Sequence, residues 1–302
     1  MDTKHLNYIL ILAKKKNMTK AAEELFVSQS SLSQYLAKLE QEVGMALFIR
    51  AKGELTLTPA GQLYIEGAQK VIRIQRDLYR SIHNLVNKCH INIGVTSQFG
   101  LGMLTEIIPK LKKQFPEVTI EISETSVPDL TNMILEEDID CGLMALNTIE
   151  PFSIEQVDIL RKEEVYFAIP SNHPYHKQNT NTSEPIPITA LPALFNTDNF
   201  LLPRKGSSLR ILADEIFSVS HYKPNTMCET NSVIATRSMV AMEIGVTLIA
   251  DSCVNDKAHI AYYSLDPPIY RYNALVRRKN LIINGPESMF CDYAKKYFNK
   301  NK

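Results

Sequence analysis

Apolar side chains in residues 19–43 recur at helical spacing on either side of a short break. Thr19 is the predicted N-cap of the first run, which places small or apolar residues on one side: Ala21, Ala22 and Leu25. In the second run the spacings are four, three and four, which predicts one buried stripe: Leu32, Leu36, Leu39 and Val43. Phe26 and Val27 interrupt the pattern, and Ser28 can cap the second helix. The pattern therefore predicts two helices joined by a tight turn.

The other face of the second helix carries amides, hydroxyls and one cation: Gln29, Ser30, Ser33, Gln34 and Lys38. A glutamine can bond to adenine N6 and N7, a serine to several base edges, and a lysine to guanine or phosphate. Such a face is typical of a recognition helix in a DNA major groove, so a helix-turn-helix is predicted. An ordinary amphipathic helix of a helical bundle has the same pattern, and the flanking segments have to distinguish the two.

Two short β patterns follow the second helix, which Gly44 is expected to end. Residues 47–50 and 55–57 flank a turn around Lys52, and this arrangement predicts a hairpin. A hairpin directly after a recognition helix is typical of a wing. Arg50 and Lys52 would then lie beside the phosphate backbone and position the helix without reading bases. The alternative is a hairpin that only faces solvent.

A long helical pattern extends from Pro59 to about residue 86. Thr58 is the predicted N-cap, and Pro59 occupies the first helical position, where proline is favourable. Apolar residues recur every seven positions or on neighbouring positions: Tyr64, Val71, Ile74, Leu78, Ile82 and Leu85. A long exposed helix with one apolar line needs a partner, so a dimerisation helix is predicted. Packing against the helix's own domain is the alternative.

From His90 onward, strand patterns alternate with helical patterns. Strands are predicted at residues 90–96, 118–123, 140–145, 165–170, 200–203, 246–250 and 270–277. Helices are predicted at residues 101–115, 128–137, 209–219, 233–244 and 286–298. Gly245 is expected to end the helix that starts at Val233. This alternation predicts parallel sheets covered by helices on both faces, and the proline-rich residues 171–192 give no clear helical pattern.

Charge is unevenly distributed along the 302 residues, although the net charge is zero. Residues 1–88 carry 13 Lys and Arg against 8 Asp and Glu, and residues 89–302 carry 20 against 25. A basic N-terminal segment suits a polyanionic partner. No apolar run has the length of a signal peptide or a transmembrane helix. The five cysteines are odd in number and widely separated, so a reducing, cytoplasmic location without membrane contact is expected.

The order of winged helix-turn-helix, long helix and α/β body resembles that of the LysR-type transcriptional regulators. The resemblance is densest at residues 19–44 and in LFIRAKGELTLTPAGQLY at residues 47–64. It continues in INIGV at 91–95, LLPRKGSSLR at 201–210 and MEIGVTLI at 242–249. The chain departs from the family at Ser30, where proline is common, and at Gln34, where arginine or lysine is common. The family's DNA sequence preference therefore does not carry over.

The resemblance implies a fold class and a division into domains. It implies a mainly α winged helix-turn-helix in residues 1–58, a linker and dimerisation helix in residues 59–88, and an effector-binding domain in residues 89–302. In the family this last domain is a two-lobed α/β structure that resembles a periplasmic binding protein. Lobe I would comprise residues 89–163 and 267–302, and lobe II residues 164–266.

Several partners are implied by the same resemblance. They are a double-stranded DNA operator, a small-molecule effector between the lobes, a second copy of the chain in a homodimer that assembles further into a homotetramer, and the transcription machinery. The expected function is sequence-specific regulation of transcription under the control of this effector.

Candidate effector ligands lie where predicted strands lead into helices. In open α/β sheets, ligands bind beyond the carboxyl ends of strands, and the free N–H groups of helix N-termini favour anions. Polar residues occupy these positions in both lobes: Thr96, Ser97, Gln98, Thr125, Ser126, Arg204 and Thr247. A small anion with a carboxylate, phosphate or sulfate group is therefore expected. The alternative is that each serine or threonine only caps its own helix.

An enzyme is not expected. The sequence contains no GxSxG, P-loop, HExxH or GxGxxG motif, so no catalytic residue, metal ligand or cofactor is predicted. A thiol switch, as in peroxide-sensing members of the family, is the alternative mode of regulation. Cys228 and Cys253 are its candidates, but no basic cluster surrounds them in the sequence, so buried structural thiols are favoured.

Overall fold

The computed structural model describes residues 3–51, 54–84, 90–96, 98–179, 181–279 and 285–298. It divides into two compact units, Met1–Lys88 and Cys89–Lys302. In the described part of the N-terminal unit the elements are α1 (Lys4–Lys15), α2 (Met18–Glu24), α3 (Gln29–Val43), β1 (Phe48–Ala51), β2 (Glu54–Leu57) and α4 (Pro59–Asn84). The strands β1 and β2 pair antiparallel. The predicted helix-turn-helix, hairpin and long helix are confirmed.

The caps of the helix-turn-helix decide where its helices begin and end. Ser28 caps α3 as predicted, because its Oγ accepts a hydrogen bond from Ser31 N at 3.1 Å. Gly44 ends α3 with a left-handed φ of 76°. The predicted start at Thr19 is wrong: α2 begins at Met18, and Asn17 caps it by accepting a hydrogen bond from Lys20 N at 3.0 Å. An extended Asn17 can reach the free N–H groups of the first turn, so Thr19 falls inside the helix.

The predicted stripe of α3 is buried except at its end. Leu32, Leu36 and Leu39 lie in the core of the N-terminal unit. Val43 is 41% exposed, so its predicted burial is wrong. It is the last residue of α3, and the chain turns away at the next position.

The hairpin is attached to α3 and α4 through its backbone. Glu40 Oε1 accepts hydrogen bonds from Leu47 N at 2.7 Å and from Phe48 N at 3.1 Å. Thr58 caps α4 as predicted, with its Oγ1 accepting from Gly61 N at 2.9 Å. A Cβ at Gly61 would lie 2.0 Å from Leu47 O. This close approach requires a glycine in a helix, where glycine is otherwise unfavourable.

The C-terminal unit is an α/β structure. Its strands are β3 (His90–Val95), β4 (Thr119–Glu124), β5 (Cys141–Leu146), β6 (Val157–Pro170), β7 (Ile186–Pro187), β8 (Asn199–Leu202), β9 (Asn225–Glu229), β10 (Thr247–Ala250), β11 (Ile260–Tyr263), β12 (Leu265–Asp266) and β13 (Ile269–Arg277). Its helices are α5 (Gln98–Gln114), α6 (Val127–Leu135), α7 (Pro174–Gln178), α8 (Leu191–Leu194), α9 (Ser208–Val219), α10 (Val233–Ala241) and α11 (Pro286–Tyr297). Short 3₁₀ turns occupy Ile154–Gln156, Ile188–Ala190 and Asp251–Cys253.

The main sheet has the strand order β10-β6-β13-β5-β3-β4, and β11 also pairs with β6. β3 pairs parallel with β4 and β5, and β8 pairs parallel with β9. β13 runs antiparallel to both β5 and β6, as do β10 and β11 to β6. The expectation of parallel sheets is therefore right for β3, β4 and β5 and for β8 and β9, and wrong for every pair that β6 or β13 makes in the main sheet. One connecting strand leads into the second half and the other returns, so the two must run in opposite directions.

Two large hydrophobic cores share the strands β6 and β13. One core contains Phe99, Leu143 and Phe290, and the other contains Phe167, Phe200 and Tyr263 among its members. Both strands contribute to both cores: Leu160 and Leu275 to the first, and Val165 and Ile269 to the second. The β6–β13 pair therefore links the two halves of the unit.

Some predicted boundaries of the C-terminal unit are wrong. β6 begins at Val157, eight residues before the prediction, and β9 had no predicted counterpart because most of its residues are polar and exposed. Residues 171–192 contain α7 although no helix was predicted there. Helix α10 ends at Ala241, and Glu243 takes the left-handed conformation with φ 62°. Gly245 therefore does not end α10; a Cβ there would lie 2.3 Å from Asn199 O. Throughout the described ranges, each helix is too short or too polar to span a lipid bilayer.

The two glycines near the start of α4 should respond oppositely to alanine. Gly61→Ala forces Leu47 O to move and should destabilise the N-terminal unit by about 1–3 kcal/mol, as overpacking does. Gly67→Ala is the control, since a Cβ there would have no neighbouring heavy atom within 4 Å. It should stabilise the unit by about 0.5–1 kcal/mol through helix propensity. Amide hydrogen exchange of the hairpin in the full chain measures both effects, and undiminished protection in Gly61→Ala would contradict the packing argument.

Candidate functional site

The predicted recognition face of α3 lies in solvent. Gln29, Ser30, Gln34 and Lys38 are exposed and Ser33 is half-buried, while the leucines of the opposite face are in the core. Ser30 Oγ lies 3.0 Å from the capping Ser28 Oγ. Lys52 and the side chain of Arg50 lie outside the described residues. The residues proposed to read bases thus share one accessible helix face.

The turn before α3 presents an aromatic residue that sequence reasoning did not single out as functional. Phe26 is 95% exposed and has a positive φ of 55°, which is uncommon for a bulky residue. Backbone bonds from Phe26 N to Glu23 O at 3.2 Å and from Val27 N to Ala22 O at 3.0 Å hold this turn. Phe26 precedes the cap of α3 by two residues, so it presents an apolar group next to the polar recognition face of α3.

The apolar line of α4 divides into a packed part and an exposed part. Tyr64 packs against the core of its own unit, and burial raises the pKa of its hydroxyl, with Glu42 contributing to the shift. Ile74 is 63% exposed, Leu78 52% and Ile82 47%. Val71 is half-buried, and Leu85 lies outside the described residues. Ile74, Leu78 and Ile82 lie on one face of the helix, and no described residue of the chain buries them.

A cavity of about 580 Å³ lies in the C-terminal unit, and the first residues of four helices line it. α5 begins there with Gln98. The other three helices have serine N-caps, whose hydroxyls accept hydrogen bonds at 3.2 Å from Asp129 N, Arg210 N and Ala235 N: Ser126, Ser207 and Ser232. Each helix N-terminus carries a partial positive charge and free N–H groups. The cavity therefore favours an anionic ligand.

Most of the predicted effector ligands line this cavity: Thr96, Gln98, Thr125, Ser126 and Thr247. Ser97 lies outside the described residues. The structure does not support the predicted place of Arg204 in the cleft, because Arg204 is exposed and absent from the cavity wall. The chain turns outward there, with Ser207 N donating to Arg204 O at 3.3 Å and Gly206 at a φ of 86°.

The hydroxyls of the predicted ligands already make hydrogen bonds within the protein. Thr96 Oγ1 accepts from Ala145 N at 3.1 Å, which leaves its proton for another acceptor. Thr247 is completely buried and donates to Leu201 O, which leaves lone pairs on its Oγ1. Ser126 caps α6 and also donates to Asp129 Oδ2 at 2.6 Å. The cap interpretation thus accounts for Ser126. Thr96 can still donate a hydrogen bond to a ligand, and Thr247 can still accept one.

Several residues of the cavity wall were missed by sequence reasoning: Ser207, Ser208, Thr230, Asn231, Ser232, Thr236 and Arg271. Serines directly before the helical patterns at 209 and 233 carry a capping signal that could have identified three of them. Arg271 had no such signal, because a charged residue in a strand pattern normally faces solvent. It is instead 5% exposed, and its Nε donates to the buried Glu163 Oε1 at 2.7 Å.

The thiols of the described residues are free and mostly buried. Cys253 lines the cavity; burial raises the pKa of its thiol, although Arg271 partly opposes the shift. Burial also raises the pKa of Cys141 well above its usual range and that of Cys291 to about 11. Cys228 is half-buried beside the same small core as Cys253. Because the thiolate is the reactive form, these shifts make poor nucleophiles of the three buried thiols.

Two family models together match most of the chain. The model described as "Bacterial regulatory helix-turn-helix protein, lysR family" matches residues 3–62, and the model described as "LysR substrate binding domain" matches residues 87–298. The second match alone covers more than half of the chain. Both units therefore have the same family assignment.

The chain is similar over nearly its whole length to proteins named as transcriptional regulators. It is 26% identical to the uncharacterized HTH-type transcriptional regulator YcgK of Bacillus subtilis, over 98% of this chain and 94% of that protein. It is also 26% identical to the transcriptional dual regulator GltC of Bacillus subtilis, over 99% and 98%. The hydrogen peroxide-inducible genes activator of Haemophilus influenzae is 27% identical, over 92% and 91%.

Solved full-length structures have the same fold. A full-length cysteine-to-aspartate variant of OxyR from Pseudomonas aeruginosa superposes with a TM-score of 0.55 at 25% identity, covering 97% of this chain and 99% of that chain. Full-length CbnR in complex with its target DNA superposes with a TM-score of 0.55 at 16% identity, covering 98% and 99%. At this low identity the CbnR likeness shows the fold alone.

Proposed function

The chain belongs to the LysR family of transcriptional regulators. We propose that a small anion bound in the cavity of its C-terminal unit controls how it regulates transcription. As a member of this family it is a DNA-binding transcriptional regulator with an effector-binding domain, not an enzyme. The observation that carries the proposal is the convergence of four helix N-termini on one cavity. The proposed boundaries are residues 1–58 for the DNA-binding domain and 59–88 for the linker helix, and the division between compact units after Lys88 supports the second of them.

The exposed face of α3 supports base reading by its N-terminal half. In helix-turn-helix proteins the first residues of the recognition helix contact base edges, and here these positions carry Gln29, Ser30 and Ser33. Gln34 and Lys38 extend the face, and Arg50 and Lys52 are the proposed phosphate contacts. Hydrogen bonds to bases provide discrimination among sequences, whereas phosphate contacts strengthen binding to every duplex.

Gln29→Ala should reduce the preference for the operator over random duplex. Loss of one bidentate base contact costs about 1–3 kcal/mol of discrimination. Gln41→Ala is the matched control, because Gln41 is exposed on the same helix but lies near its C-terminal end. Competition binding assays on wild type and both variants measure the preference. Equal preference in Gln29→Ala and wild type would show that α3 reads DNA through another set of side chains.

The position of the cavity supports an effector site between two lobes. The proposed lobe I, residues 89–163 and 267–302, contains α5 and α6, and the proposed lobe II, residues 164–266, contains α9 and α10. Each lobe thus supplies two of the four helix N-termini. The volume of about 580 Å³ lies in the usual range for small-molecule pockets. An anion that contacts both pairs of N-termini would draw the lobes together.

Ser208→Ala should weaken the binding of anions in the cavity. Ser208 is buried at the start of α9, and its hydroxyl makes no hydrogen bond to any described residue, so its loss leaves no protein group unpaired. Loss of one donor to a charged acceptor should lower affinity roughly ten- to a hundredfold. Ser220→Ala, at the other end of α9 and outside the cavity wall, is the control.

A thermal-shift screen of phosphate, sulfate and small carboxylates on the full chain identifies the probe, and calorimetric titration then measures its affinity. If the probe binds Ser208→Ala and wild type equally, the anion site lies away from the start of α9.

The exposed line of α4 supports a homodimer, and further pairing of dimers would form the proposed tetramer. Ile74, Leu78 and Ile82 would lose their contact with water in a helix pair. Leu78→Asp with Ile82→Asp places two charges where burial is costly and should shift the assembly to monomers. Gln62→Asp, an exposed change on the same helix away from this line, is the control. Sedimentation measures the mass, and an undissociated double variant would refute this interface.

A thiol-based switch is the alternative to an anionic effector. It is suggested by the hydrogen peroxide-inducible relative and by the place of Cys253 in the cavity wall. Burial raises the pKa of Cys253, so its thiolate is scarce at neutral pH. The anion-binding character of the cavity therefore favours the effector.

A further inference from the structure

Arg271 is a buried cation in the wall of the cavity. It lies on β13, where its partner in the strand register is Glu163 of β6. Its Nε donates to Glu163 Oε1 at 2.7 Å, and the other oxygen of Glu163 accepts from Ser252 N at 3.0 Å. Within the described residues, no acceptor bonds to the two terminal nitrogens of Arg271. These nitrogens are therefore available to a ligand.

Arg210 shows that the free end of Arg271 is not a general property of buried arginines in this protein. Arg210 is buried to a similar degree, 8% exposed against 5% for Arg271. Its Nε donates to Asp214 Oδ1 at 2.8 Å, and its Nη1 donates to Pro203 O at 2.9 Å and to Glu229 Oε1 at 2.6 Å. Arg210 lies outside the cavity wall. An arginine fixed by three acceptors has a structural role, whereas Arg271 keeps its donors unused beside a cavity.

We infer that Arg271 binds the carboxylate of a small, singly charged effector with an apolar body. This inference rests on the proposed effector function of the cavity and specifies the ligand class. A guanidinium presents two parallel N–H donors that match the two oxygens of a carboxylate. Apolar side chains form much of the remaining wall: Leu101, Val127, Leu209, Val233 and Leu248.

The charges around Arg271 favour one negative charge on the ligand. Glu163 already offsets much of the positive charge of the guanidinium, and Glu124 also lines the cavity. A dianion such as sulfate would meet one shared cation and two carboxylates, which disfavours it at this position. The ion pair with Glu163 also holds the guanidinium in place before the ligand arrives, so little side-chain freedom is lost on binding.

Arg271→Lys tests the inference because lysine keeps the positive charge and can still pair with Glu163. It lacks the two parallel N–H donors of the guanidinium. The probes are benzoate and hexanoate, their uncharged amides, and sulfate, each titrated into the full chain by calorimetry. Wild type should bind at least one carboxylate at millimolar concentration and bind the matching amide far more weakly. Arg271→Lys should bind that carboxylate roughly ten- to a hundredfold more weakly. Arg277→Lys, on the same strand but outside the cavity wall, should bind as wild type does.

The other outcomes separate this inference from the proposed function. Carboxylate binding that is equal in wild type and Arg271→Lys would overturn the role of Arg271 but leave the effector cavity standing. Binding of sulfate with no binding of either carboxylate would overturn the ligand class alone. If none of the anions binds wild type, both the ligand class and the anion-binding function of the cavity fail. Should Arg271→Lys not fold, Arg271→Met with Glu163→Gln removes the ion pair as a whole, which avoids a buried unpaired charge, and the same comparison applies.

Discussion

The antiparallel pairing of β6 with β13 is the interaction on which the C-terminal unit depends. β6 has 14 residues and β13 has 9, and their register runs from Val157 opposite Val276 to Val165 opposite Ile269. Both hydrophobic cores include side chains of these two strands, so neither core is complete without the ladder. The buried pair of Glu163 and Arg271 lies within it. Removal of one partner of such a pair leaves an uncompensated buried charge, at a cost of about 3–5 kcal/mol. The β6–β13 pair that joins the two halves therefore also positions Arg271 in the cavity wall.

The two units favour anions by different physical means. In the N-terminal unit, an excess of Lys and Arg over Asp and Glu suits a long, densely charged polyanion, whose binding is dominated by its phosphates. In the cavity of the C-terminal unit, Arg271 is the cation of the wall and is paired with Glu163. The attraction proposed there comes from the donors of Arg271 and from helix N-termini, whose partial charges are fixed by the backbone. Such a site needs no excess of basic residues, so an effector domain with a net negative charge can still accept a small anion.

Local features of the fold were predictable because their causes lie within a few residues. The cap at Ser28, the end of α3 at Gly44 and the start of α4 at Thr58 each depend on bonds or backbone angles within one turn. Asn17 and Thr19 are both suitable capping residues for α2, and the pattern alone led to the wrong prediction of Thr19. The polar strand β9 was missed for a related reason. Its partner β8 lies more than twenty residues away, and its own side chains show no strand period.

By itself the sequence determined the order of the main elements, the family and the strand ends where we expect a ligand to bind. Those properties follow from periodicity, capping chemistry and motif spacing, which depend on residues close together in the sequence. Only the tertiary structure decided that Arg204 is exposed while Arg271 lines the cavity, and that Gly61 is required by the carbonyl of Leu47. The partners of Arg271 and of Thr247 are 108 and 46 residues away. Contacts at such separations depend on strand register and close packing, and no local pattern encodes them.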